Sequence, residues 1–159
     1  NSLTEEHFHD LGKWMFALTV FWAYIAVSQY LLIWYANIPE ETIFYRMRMV
    51  GSWRGLSAVL LFCRFIIPFV VLIFRANKRK LGLLTAAAIW VVAMHFIDMY
   101  WLIMPNFFPK GMQVSWMDFG ALVGVVGVAG LGFWLRLRKK ALVPVGDMRF
   151  EQGMTFENI

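Results

Sequence analysis

Apolar positions gather into four long stretches, residues 14–35, 56–74, 81–104 and 119–135, divided by short polar segments. A hydrocarbon core ~30 Å thick takes ~20 apolar residues of helix to cross. Each stretch is about that long, so the chain is predicted to be an all-α integral membrane bundle of four transmembrane helices. A polar tail, 136–159, follows them. The intervening segments carry the stop signals. Glu5 and Glu6, after Ser2 and Thr4, resemble a helix start. Pro39 marks the end of the first helix near Asn37, and Gly51 and Gly55 favour a break before the second. The amphipathic run 39–55 is either a short interfacial helix or an extension of the second span. Pro68 lies inside that span and predicts a kink, because proline removes the bond to the carbonyl four residues earlier, that of Arg64. Gly120 and Gly124 form a GxxxG pair on the fourth span, a seam for close helix approach.

Composition supports the membrane reading. The chain is 60% hydrophobic and 16% charged, against ~45–50% and ~25% in soluble domains. Tryptophans and tyrosines fall near span ends, as at the headgroup level. A net charge of +5 would suggest nucleic acid in a soluble protein. Here the basic residues sit in loops, where they set topology, so no nucleic-acid partner is expected and lipid is. The single cysteine, Cys63, permits no internal disulfide and no cysteine-based cluster. His7 and His9 read as surface histidines. Only His95 lies within a span, so no haem held by two intramembrane histidines is expected in this chain. The first span is preceded by acidic residues and does not read as a signal peptide.

Loop charge sets an orientation. Lys13, the run from Arg75 to Lys80, and Arg136, Arg138, Lys139, Lys140 and Arg149 fall on one side; Arg46, Arg48, Arg54 and Lys110 fall on the other. The positive-inside rule puts the first side, and with it both termini, in the cytoplasm. Arg46, Arg48 and Arg54 are then expected to meet lipid phosphate or an acidic partner surface.

Charge within the spans is the candidate chemistry. Arg64 stands ~12 Å below the outer end of the second span, and Asp98 ~9 Å below that of the third, at ~1.5 Å per residue. Consecutive spans are antiparallel neighbours, so the two are expected to form an intramembrane ion pair. His95 lies one turn from Asp98 on the same face. Ser28 and Gln29 on the first span come to the level of His95, and Tyr24, Ser28 and Tyr35 share a face. Glu40 and Glu41 stand at the outer mouth. Glu40, Glu41, Ser28, Gln29, His95 and Asp98 together form a candidate proton pathway beside Arg64, because imidazole and carboxylate groups are readily tuned toward working pH. The competing reading is structural: Arg64 and Asp98 neutralise each other and hold two helices together.

The run FWAYIAVSQYLLIWYANIPEET, residues 21–42, resembles the ActF-type membrane subunits of alternative complex III, relatives of the NrfD-type polysulfide-reductase subunits. TEEHFHDLGK near the start and PVGDMRFEQGMTFEN at the end are similar as well. The resemblance implies a non-redox subunit of a bacterial quinol:electron-acceptor oxidoreductase in the cytoplasmic membrane, anchoring the assembly and contributing a proton route. It implies partners: a homologous large membrane subunit, multihaem cytochrome c subunits and a periplasmic iron–sulfur subunit. Haem c, iron–sulfur clusters and menaquinol would belong to those partners, and none to this chain. Members of that family span the membrane more often than this chain does, so it is similar to their C-terminal portion, within a larger bundle. An ion-coupled transporter fragment and a pure assembly scaffold are the alternatives. The former would show broken helices and inverted repeats, and only the second span promises a break.

Overall fold

The computed structural model describes residues 5–139, and every regular element among them is helical. The elements are α1 (Glu5–Ala36), α2 (Pro39–Arg48), α3 (Ser52–Ile73), the short α4 (Arg75–Arg79), α5 (Leu81–Ile103) and α6 (Trp116–Leu137). Four of them, α1, α3, α5 with the 3₁₀ turn that follows it, and α6, are long and apolar enough to cross a membrane. The chain is a multi-span helical membrane protein. Ser2, Thr4 and the tail from Lys140 onward lie outside the described residues.

The chain forms two compact units, Asn1–Met112 and Gln113–Ile159. In the second, Ser115 opens α6 with a capping box: its side chain accepts from the Met117 N–H at 3.3 Å, and its own N–H donates to Asp118 Oδ2 at 2.8 Å. No residue of α6 is buried, and Gly120 and Gly124 make no packing contact within this unit.

In the first unit α1, α3 and α5 pack together, and the breaks between elements have local causes. Asn37 takes φ +50° and Ile38 is extended, the conformation a following proline imposes, so Pro39 starts a new helix at its first turn. Gly51, at φ +57°, supplies the turn from α2 into α3. The run 39–55 is thus a separate helix and a turn; Gly55 lies inside α3 and breaks nothing. At the far end Gly12 lets α4 approach α1, since a Cβ there would stand 2.8 Å from Lys78 Cγ. Glu6 and Arg79 form an ion pair across the same junction. His9 is buried there, 7% exposed, and is not the surface histidine the sequence suggested. The helix turns it inward, toward the side on which α4 docks.

Two prolines leave carbonyls without helical donors, and side chains take both up. Within α3, residues Leu60–Ile66 form a π-helix just before Pro68. The Ile67 N–H reaches back to Phe62 O, five residues away. In that wider register the bond Pro68 cannot make is the one to Cys63, not to Arg64 as an α-helical reading predicts. Trp90 of α5 fills the gap, its Nε1 donating to Cys63 O at 2.7 Å. At the end of α5, Pro105 leaves Trp101 O bare. Arg48 Nε donates to Trp101 O at 3.2 Å, Nη2 to Leu102 O at 2.6 Å and Nη1 to Phe44 O at 2.6 Å. Its guanidinium also lies 3.5 Å from the Phe44 ring centroid. Arg48 is 0% exposed. It is a C-terminal cap of α5, where a cation also suits the helix dipole, and it meets neither lipid phosphate nor an acidic partner. Arg46 and Arg54 do remain exposed. Ser57 completes the junction: its single hydroxyl proton is shared between Arg48 O at 3.1 Å and Trp53 O at 3.0 Å, and its oxygen accepts from Trp101 Nε1 at 2.8 Å. Trp53, fully buried, ties the following loop down through Phe108 O at 2.9 Å.

Candidate functional site

Arg64 belongs to the π-helical part of α3, and Asp98 to the last turns of α5. Burying either alone in an apolar bundle would be costly. They meet with Arg64 Nε 3.3 Å from Asp98 Oδ2, each side chain 10% exposed. The contact is ionic: Nε is not aligned for a hydrogen bond. The aligned donor on the carboxylate comes from α1, where Trp22 Nε1 lies 3.0 Å from the same Oδ2. Trp22 also presents its ring to the cation, with Arg64 Cζ 4.7 Å from the ring centroid. On its other side Arg64 Nη2 stands 3.1 Å from His95 Nδ1. A guanidinium only donates, so Nδ1 accepts and the imidazole proton resides on Nε2. Four groups from three helices therefore form one cluster: Trp22, Arg64, His95 and Asp98.

Two cavities reach this cluster. One, about 560 Å³, lies along the first half of α1 and of α5; Arg64 and Trp22 form its polar end, and Leu18, Leu84 and Ala88 are among its walls. The other, about 530 Å³, lies toward α2 and is lined by Asp98, Trp22, Gln29, Tyr45 and Arg48 among others. Trp22 lines both. The ion pair thus divides its two members between the cavities, the cation on one and the carboxylate on the other. In the α2-side cavity burial pushes the Tyr45 phenol above its ordinary value, and the nearby Arg48 opposes that shift. Burial likewise lowers Arg48 below the ordinary arginine value.

The remaining sequence candidates are dispersed. Gln29 lines the α2-side cavity with Asp98. Ser28, half-buried, lines neither cavity. Tyr24 and Tyr35 are 64% and 92% exposed, so the face they share with Ser28 looks out of the unit rather than into it. Glu40 and Glu41 are exposed in the first turn of α2 and line neither cavity. A continuous track through them is not formed inside this unit, because α2 turns its Tyr45 and Arg48 inward instead. Trp22 escaped the sequence reading. Its signal was its position: it sits well inside the first span, away from the headgroup level that tryptophan favours, and a buried indole N–H needs an acceptor.

Among the described residues no group of three or more His, Cys, Asp or Glu side chains could hold a metal ion. No protein-family model matches this chain, and no curated protein sequence matches it.

Proposed function

We propose that this chain is a non-redox membrane subunit of a quinol-oxidising electron-transfer complex of the alternative complex III type, and that it carries protons through Asp98. The similarity of residues 21–42 to that family supports the assignment to the complex. One structural observation supports the proton role: a carboxylate 7% exposed, deep in the unit, lines a cavity on one side and contacts an arginine that lines a second cavity on the other. Proton relay needs such a group, shielded from lipid yet reached through a cavity, and the second cavity ends at its arginine partner. Gln29 leads to Asp98 from the α2 side, and His95, held through Arg64, accompanies it. By loop charge the α2 side faces the periplasm and both termini the cytoplasm of a bacterial inner membrane. The homologous membrane subunit, the multihaem cytochromes and the iron–sulfur protein supply haem c, clusters and the menaquinol chemistry.

Asp98→Asn in the intact complex tests the proposal. The expected result is electron transfer that persists with reduced charge translocation. Both rates unchanged would overturn the proton role. The mutual neutralisation of Arg64 and Asp98 favours a second reading, a pure scaffold. On that reading Arg64→Met with Asp98→Leu would be tolerated jointly and leave charge translocation intact.

A further inference from the structure

The junction of α1 with α4 gathers polar atoms that the fold leaves unanswered. Five buried side-chain atoms among the described residues lack a hydrogen-bond partner, and three of them are here: His9 Nδ1, Glu6 Oε2 and Arg79 Nε. Lys78 of α4 lies along the stripe of α1 that begins at His9. It crosses Gly12, one turn on, and its Nζ stands 5.5 Å from the Phe16 ring centroid. The charges that face His9 come from both elements. On α1 they are Lys13, paired with Asp10 at 2.7 Å, and Glu6, paired with Arg79; on α4 they are Lys78 and Arg75. Three cations and one engaged carboxylate thus surround a buried imidazole. This level is outside the hydrocarbon core. α1 has 32 residues, ~48 Å at ~1.5 Å each, against a core of ~30 Å, and its apolar stretch begins only at Trp14. Aqueous protons therefore reach the junction.

We propose that the α1–α4 junction is a pH-sensitive latch: neutral His9 lets α4 dock on α1, and a proton on His9 releases it. Docked, the imidazole is buried and shares its surroundings with Lys13, Lys78 and Arg75, all of which oppose a further positive charge. Burial first, and then those three cations, hold His9 below the ordinary imidazole value, with Glu6 opposing them. When α4 leaves, Lys78 and Arg75 leave with it and the ring regains water, so its affinity for a proton rises. The docked state binds the proton less tightly than the released one, and falling pH therefore favours release. Docking is complete above about pH 6.5, the ordinary histidine value, and is lost as pH falls from there through the lower value of docked His9. The cavity that ends at Arg64 has Phe8 and Leu81 in its walls, near His9 and Arg79 in sequence, so release loosens the helix ends around it. The latch stands apart from the proton route through Asp98, since it requires no proton to cross the membrane.

Double electron–electron resonance on the full chain in lipid nanodiscs tests it. Spin labels are placed in a Cys63→Ser background at Ala76→Cys on α4 and Tyr24→Cys on α1, both exposed positions. A narrow distance distribution is expected at about pH 8, and a longer, broader one at about pH 5, still above the ~4.3 at which Glu6 would release Arg79. The ratio of released to docked molecules is expected to rise several-fold per pH unit and by no more than ~tenfold, the limit for one proton. His9→Gln, neutral at every pH, is expected to give the narrow distribution throughout. That variant also serves as the folding control, because its distances at pH 8 are expected to match those of the parent. A distribution that does not change between the two pH values in the parent would overturn the proposal. So would an acid-induced change that persists in His9→Gln, which would assign the response to another group.

Discussion

Asp98 is held by one aligned hydrogen bond and one ionic contact, and both can be removed singly. Trp22→Phe deletes the N–H on Oδ2 and keeps an aromatic face for Arg64. Hydrogen bonds to charged groups are worth about 1.5–3 kcal/mol, and a loss of that order is expected in denaturant unfolding of the reconstituted protein. Arg64→Met strands a buried carboxylate and is expected to cost about 3–5 kcal/mol, most of it recovered when Asp98→Leu is added. If the double variant is no more stable than the single one, the pair is not what sets that cost. The pairing was legible in the sequence because depth along consecutive antiparallel spans is simple arithmetic. His95 followed from its spacing to Asp98. Trp22 did not, since which face of α1 turns toward α3 and α5 depends on packing that a span apolar all round leaves open. Arg48 misled for a related reason: on an amphipathic segment a cation reads as exposed, and the orphan carbonyls that draw it inward belong to another helix.

At the scale of elements, the two prolines decide the shape of two helix segments, and each is answered from across the bundle. Trp90→Phe leaves Cys63 O without its donor. The expected cost is about 1–3 kcal/mol, the penalty for a polar group left unsatisfied away from water, as the lipid-facing side of a span is. Pro68→Ala restores an N–H to the helix, so in that background Trp90→Phe is expected to cost measurably less. Additive losses in this double-mutant cycle would show that the indole and the proline are not coupled. The presence of Pro68 was plain from the sequence, and its consequence was misplaced by one residue. The reason is register: a π-helical turn moves the missing bond from Arg64 to Cys63, and no local propensity announces that shift. Arg48→Lys keeps the charge but offers a single nitrogen in place of three. Bare carbonyls at the end of α5 should then appear as faster amide exchange over the loop that follows.

At the scale of the whole molecule, length and hydropathy were enough to find four membrane-spanning helices, because a bilayer leaves a chain few alternatives. Orientation rests on loop charge and can be checked directly. In a Cys63→Ser background, Glu40→Cys is expected to react with an impermeant thiol reagent added to intact cells, and Ala76→Cys only after permeabilisation; the reverse pattern would invert the topology. The two cavities could not be read from the sequence, because they are gaps between helices and depend on how α1, α3 and α5 splay around the cluster. They matter because each leads to a different member of a buried ion pair. Asp98 is proposed to change its protonation as the complex works, and infrared difference spectroscopy of the intact complex during quinol oxidation reads that change. A protonated-carboxyl band is expected to appear on turnover and to be missing in Asp98→Asn; identical difference spectra from the two proteins would rule out a proton carried by Asp98.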